Sequence, residues 1–246
     1  MQCLILAGGL GTRMRPITER IPKALIEVAG KPFVAHQLGL LARQGVRHVV
    51  FSIGYLGGLL QDYVGNGAPW GLDVTYVDEG EVLRGTAGAI RLAIDRGCLN
   101  PRFLVLYGDS YLPISLKHLW ATSMQGALPT MTVLRNNNAW DRSNVRIEDS
   151  KAYYCKRVAD PIAENMHYID YGVSALSCDV IRSLVPSDSV IDLADVFHKL
   201  SLTGTLQACE IFERFYEIGS KTGLRDLEQY FKQNPLLLGG IEEPFF

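Results

Sequence analysis

A chain of 246 residues, 48% hydrophobic and 20% charged, has the make-up of a globular protein able to bury a sizeable core. Its 24 Lys and Arg against 26 Asp and Glu leave a net charge of −2, so no basic field is spread over the surface for a nucleic acid polymer or an anionic membrane. Five scattered cysteines with no C-x-x-C pair suggest neither a zinc ribbon nor a disulfide framework, and fit a reducing cytoplasm. No basic segment followed by an apolar one opens the chain, and no apolar run reaches about 18 residues, so neither a secretion signal nor a membrane span is expected.

"QCLILA" (2–7) is a nearly continuous apolar run ending in glycine, the pattern of a buried parallel strand. "KPFVAHQLGLLARQG" (31–45) reads as a helix, with Val34, Leu38 and Leu41 on one face and Gly45 placed to end it. Strands at 47–53, 72–78 and 102–109 alternate with a weak helix at 56–64 and a helix at 86–97. This alternation predicts βαβ units and a parallel sheet with helices on both faces. After Asp109 the pattern changes. Strands are expected within 127–136, 144–148, 152–158 and 168–176, with little helix between them, then helices at 178–185 and 191–201. Strands near 206–218 and a helix at 222–233 follow, and the apolar tail 236–246 is expected to pack on the body or on a second subunit. With no repeat or linker, the expected fold is one α/β domain over 1–246. It would combine a doubly wound half to about residue 112 with a mixed α+β insertion beyond it.

The first strand ends in Gly8-Gly9-Leu10-Gly11-Thr12-Arg13. In open parallel sheets, ligands sit at the carboxyl ends of strands, and this loop lies at that edge. Gly8, Gly9 and Gly11 can bring backbone close to a ligand, successive N–H groups in such a turn form an anion nest, and Arg13 adds a forked, permanent cation. The loop is neither standard nucleotide motif. It lacks the Gly-Lys-Ser/Thr of a P-loop, and no glycine follows three residues after Gly11. Pro22 fixes its own φ and biases Ile21 toward extended geometry, which aims Lys23 in a defined direction.

"LAGGLGTRMRPITERIPKALIEVAGKP" resembles the signature of the sugar nucleotidyltransferases over about thirty residues. "GTAGAI" (85–90) is similar to the family's second nucleotide-side loop, and "LYGDSYL" (106–112) to its Gly-Asp metal motif. "YIDYGVSAL" and "FYEIGS" (215–220) resemble its sugar-side strand and second metal motif. Compact members such as the mannose- and heptose-1-phosphate guanylyltransferases look most alike. The resemblance implies a Rossmann-like, doubly wound mixed sheet with a sugar-binding α+β insertion in the C-terminal half. It implies transfer of a nucleoside monophosphate from an NTP, GTP favoured, to a sugar 1-phosphate, with Mg2+ as cofactor. Membrane and nucleic acid partners are not implied, and homo-oligomers occur.

By the same resemblance, Leu6, Ala7, Gly8, Gly9, Gly11 and Thr12 lie against the nucleotide, as do Gly85, Thr86 and Gly88. Arg13 holds the departing β- and γ-phosphates, and Lys23 the α-phosphate where charge builds. Asp109 and Glu217 bind Mg2+, Glu217 standing where the family usually has Asp. Lys156 or Arg157 holds the sugar phosphate, with Cys155 where an acid is common, and Asp170, Tyr171 and Gly172 line the acceptor pocket. Glu79 is a further pocket candidate, Arg84 contacts a base carbonyl or solvent, and "WDRSN" (140–144) closes over the sugar or forms a plain polar hairpin. Two rival readings are a transferase for a non-sugar phosphate or phosphonate acceptor, and a catalytically silent nucleotide-sugar-binding subunit.

Overall fold

The computed structural model describes residues 1–126, 129–157, 159 and 164–237. The chain begins β1 (Gln2–Leu6), β2 (Glu27–Val28), β3 (Lys31–Pro32), α1 (Phe33–Arg43), β4 (His48–Ile53), α2 (Gly57–Val64) and β5 (Asp73–Asp78). It continues with α3 (Gly85–Asp95), β6 (Arg102–Tyr107), β7 (Ser110–Tyr111), α4 (Leu116–Gly126), β8 (Thr130–Arg135), β9 (Val145–Glu148) and β10 (Lys151–Tyr154). Last come β11 (Tyr168–Ser177), α5 (Cys178–Leu184), α6 (Leu193–Leu202), β12 (Gln207–Ile211), β13 (Tyr216–Glu217) and α7 (Lys221–Gln233). The chain is a mixed α/β fold, as its early alternation predicts.

Two compact units interleave along the sequence. The first takes residues 1–83, 106–111 and the described residues from Phe215 on, and the second takes 84–105 and 112–214. The helix at α3 therefore belongs to the second unit and α7 to the first, which a single division near residue 112 does not anticipate.

In the first unit β4 lies between β1 and β5, all parallel, with Leu6 opposite Ser52 and Ile53 opposite Asp78. Cys3, Leu4, Ile5, Val49, Val50 and Phe51 are buried, which explains why these strands read as unbroken apolar runs. Separately, β7 and β13 form a short antiparallel ribbon, Tyr111 opposite Tyr216 and Ser110 opposite Glu217. Beneath the ribbon, Phe231 of α7 meets Tyr111 edge-on at 5.0 Å and His36 of α1 at 4.5 Å between ring centroids. The His36 ring nitrogen bonds to the Val28 carbonyl at 2.7 Å, and burial pushes its pKa down. Met14, Ile26, Val28, Phe33, Ile218 and Leu227 complete this core.

In the second unit the strand order is β6-β11-β8-β12-β10-β9. Pairing is antiparallel for β11–β8, β10–β12 and β10–β9, and parallel for β12–β8. Helix α4 is not anticipated by the sequence reading. Leu116, Leu119 and Ser123 are buried at i, i+3 and i+7, a helical stripe interrupted by too many polar residues to stand out. Strand β8 sits inside the expected 127–136, whereas β10 starts one residue before the expected 152–158 and ends at Tyr154; residues 127, 128 and 158 lie outside the described set. The apolar tail lies outside it from residue 238 on.

Phe231 is fully buried and touches both α1 and the ribbon. Phe231→Ala is expected to lower unfolding free energy by about 3–5 kcal/mol, read by urea titration. A loss below about 1 kcal/mol would contradict the anchoring role of α7.

Candidate active site

The glycine loop starts where β1 runs out. Ala7 N–H still donates to Ser52 O at 2.8 Å, and the next loop amide bonded among the described residues is Met14 N–H, to Gly11 O at 2.9 Å. The amides between them are left for solvent or an anion. A Cβ at Gly8 would sit 2.5 Å from Glu79 Oε1 and would push that carboxylate aside. Glu79 Oε1 also accepts from the buried Ser52 hydroxyl at 3.2 Å, so this carboxylate stands directly beside the loop. Gly11 has φ 60°, a left-handed conformation that favours glycine. Its carbonyl accepts from Thr18 Oγ1 at 2.8 Å, and the buried Thr18 fixes the turn. Thr18 lies within the signature stretch, but its task of closing the turn on Gly11 is visible only in the structure. A 3-10 turn at Thr12–Met14 then buries Met14 and leaves Arg13 exposed.

Lys23 opens a second 3-10 turn, Lys23–Leu25, after an extended Pro22 (φ −63°, ψ 149°). Ala24 and Ile26 are buried on either side of the turn and fix the direction of the lysine. Its Nζ donates to Asp109 Oδ2 at 2.7 Å, with the two side chains 17% and 29% exposed. Asp109 follows Gly108, whose N–H donates to Leu6 O at 3.0 Å and whose Cβ would lie 2.6 Å from that oxygen. Only glycine lets the chain pass so close to the end of β1. From there the ribbon begins, with Ile218 N–H donating to Asp109 O at 3.0 Å.

Glu217 sits on the partner strand. Its Oε2 accepts from Gly219 N–H and its Oε1 from the Ser220 hydroxyl at 2.8 Å. Ser220 in turn caps α7, accepting from Gly223 N–H at 2.9 Å. Three of the four charges meet at Gly219, and Asp109 joins them through Lys23. A Cβ there would stand 2.9 Å from Arg13 Nη2 and 3.2 Å from Lys23 Nζ, and closer still to Glu217 Oε2. Sequence spacing does not reveal that Gly219 is the point of convergence.

The second unit holds the remaining candidates. Ala87 and Gly88 N–H groups at the start of α3 both donate to Ile191 O, at 2.9 and 3.2 Å, and Leu193 N–H donates to Thr86 Oγ1 at 2.6 Å. A Cβ on Gly85 would meet Ile191 O at 2.7 Å, and one on Gly88 would collide with Ser189 O. Both glycines are thus required by close backbone packing, whatever else the loop does. Lys156 Nζ lies 3.6 Å from Asp192 Oδ2, both side chains more than half exposed. Arg157 is exposed. Asp170 Oδ1 accepts from Gly172 N–H at 3.1 Å, and Asn144 Oδ1 accepts from Asp170 N–H at 3.0 Å.

Tyr171 is 1% exposed and its ring packs in the core. "WDRSN" is held by its own neighbours: Asn136 Nδ2 donates to Asp141 O at 2.6 Å and to the buried Ser143 Oγ at 3.0 Å. That is a self-bonded polar turn. Arg84 pairs with Asp188 at 2.7 Å.

A family model described as nucleotidyl transferase matches residues 2–139, and the chain belongs to that family. It is 36% identical to the glucose-1-phosphate thymidylyltransferase of Streptomyces antibioticus over 135 residues, 54% of this chain and 37% of that protein. It is 29% identical to the mannose-1-phosphate guanylyltransferase catalytic subunit beta of Danio rerio over 222 residues, 89% of this chain and 61% of that one. The match thus spans less than two thirds of either relative's length. In fold, the chain is similar to a Bacillus anthracis structure assigned as a glucose-1-phosphate thymidylyltransferase. The TM-score is 0.82, with 21% identity and 94% of each chain covered.

Gly88→Ala is expected to cost about 1–3 kcal/mol of stability, because Ser189 O must move. An unchanged urea midpoint would contradict the packing explanation for this glycine.

Proposed function

We propose that this protein transfers a nucleoside monophosphate from a nucleoside triphosphate to a sugar 1-phosphate, releasing pyrophosphate. The observation that carries the reading is the meeting of Arg13, Lys23 and Glu217 around Gly219, with Asp109 paired to Lys23, beside a glycine loop with unbonded amides. In the reaction an acceptor phosphate oxygen forms a bond to the α-phosphorus. The bond from that phosphorus to the bridging oxygen breaks, and pyrophosphate leaves with the electron pair. Nothing in this step needs a protein nucleophile. It needs charge stabilisation at fixed positions, which the site can supply.

Arg13 presents a forked guanidinium suited to the departing phosphates, and Lys23 a compact ammonium suited to the α-phosphate. The loop amides between Ala7 and Met14 add donors without charge. Asp109, just before β7, and Glu217, on β13, offer hard oxygens, a donor set that fits Mg2+. With two protein carboxylates, Mg2+ would take its remaining ligands from phosphate oxygens and water. Bound there, Mg2+ supplies neutralising charge on the phosphate oxygens. In the second unit Lys156 is the proposed cation for the acceptor phosphate, and Asp170 and Gly172 the polar contacts for its hydroxyls.

GTP is the proposed donor, supported by the relative that matches 89% of this chain, a guanylyltransferase. The cytoplasm is the proposed site of reaction. All five cysteines are free thiols, and no helix among the described residues is long and apolar enough to cross a membrane.

A matrix of triphosphates against sugar 1-phosphates, read by pyrophosphate release, tests the reading. GTP with mannose or heptose 1-phosphate is expected to give pyrophosphate and a nucleotide sugar in equal amounts, and EDTA to stop the reaction. Lys23→Met is expected to lower kcat by about 100-fold or more while circular dichroism stays unchanged. Pyrophosphate release that ignores the sugar phosphate, or full turnover in Lys23→Met or in EDTA, would overturn it.

A further inference from the structure

Arg13, Lys23 and Glu217 around Gly219, with Asp109 paired to Lys23, are two cations and two carboxylates, so their formal charge sums to zero. The lysine and both carboxylates are already engaged. Lys23 holds an Asp109 oxygen at 2.7 Å in a partly buried pair. Glu217 is tied by Gly219 N–H and Ser220 Oγ and cannot swing away without losing both hydrogen bonds. Arg13 and Lys23 approach the same Cβ point, 2.9 and 3.2 Å away, facing Glu217 across it.

The ammonium has donors to spare and Asp109 a second oxygen, so a phosphate can join Lys23 without drawing it off Asp109, but it then lies beside the carboxylate's negative charge. A divalent cation on Asp109 likewise lies beside the ammonium's positive charge. Either ligand alone therefore meets a like charge across a half-buried ion pair. Arriving together, each ligand compensates the charge that opposes the other, the metal on the carboxylate side and the phosphate on the ammonium side.

We propose that the Lys23–Asp109 pair is a placeholder that makes phosphate and divalent cation bind as a unit, excluding metal-free pyrophosphate and free metal alike. The inference rests on the nucleotidyl-transfer reading for the identity of its ligands. It goes beyond that reading, because it assigns Asp109 a second task, repelling an anion that arrives without metal.

The test uses the full chain with inorganic pyrophosphate and Mn2+, without acceptor, so that nothing turns over. Pyrophosphate binding is followed by titration calorimetry in EDTA, and Mn2+ binding by electron paramagnetic resonance without phosphate. Asp109→Asn is expected to bind metal-free pyrophosphate about tenfold or more tighter than the unaltered protein. Lys23→Met is expected to bind Mn2+ alone about tenfold or more tighter, while losing affinity for pyrophosphate. These gains come from variants that the transfer reading expects to be inactive, so loss of fold cannot imitate them. Unchanged or weaker metal-free pyrophosphate binding by Asp109→Asn, or unchanged or weaker Mn2+ binding by Lys23→Met, would overturn the placeholder and leave the transfer reading standing. Failure of the unaltered protein to bind pyrophosphate with or without Mn2+ would overturn both.

Discussion

The ammonium of Lys23 on the carboxylate of Asp109 is the contact on which the rest of the site depends. It joins an early turn to the end of a strand 86 residues away and fixes the distance between phosphate-seeking and metal-seeking groups. An exposed pair of this kind would contribute little. This one is mostly enclosed, its backbone supports are buried, and its members are fixed from opposite sides by Ala24 and Ile26 and by Gly108. A side chain at Gly219 would break up the convergence, which is why a hydrogen atom stands there.

The scaffold supplies that geometry by ordinary packing. Parallel β1 and β4 bury their runs, with β5 beside β4, and β1 delivers the glycine loop to one sheet edge. The ribbon β7–β13 is too short to hold itself. It is held by aromatic contacts beneath: Tyr111 on Phe231, and Tyr216 on Tyr230 at 4.4 Å. Burial pushes the Tyr111 hydroxyl up to about 12, so that ring is a neutral support across the working range of pH. Helix α7 thus does two things, packing under the ribbon through Phe231 and offering Ser220 as cap and as clamp on Glu217.

Much of the first unit is legible in the sequence. The apolar run of β1 has one period and one reading, and a glycine loop after it has few physical purposes. Arg13, Lys23, Asp109 and Glu217 stand out by motif, and folding brings all four together around Gly219 and the Lys23–Asp109 pair. The rest is hidden for identifiable reasons. Thr18 and Gly219 stand inside the motifs, but the contacts in space through which they act are not readable from spacing. Gly85 and Gly88 look like a ligand loop because glycine meets any close approach, and here the approach is to Ser189 and Ile191. Tyr171 sits in an alternating strand whose faces cannot be assigned until β8 is placed beside β11 with its register shift after Asp170.

The central claim is that this chain works by holding charges in place and lends no atom to the bond that forms. The stereochemical course at the α-phosphorus tests it most directly. A triphosphate carrying sulfur at that phosphorus in one configuration is turned over with the accepted sugar 1-phosphate, and the product is assigned by phosphorus NMR. A single in-line displacement predicts inversion. Retention would require a nucleotidylated side chain between two displacements and would contradict the account.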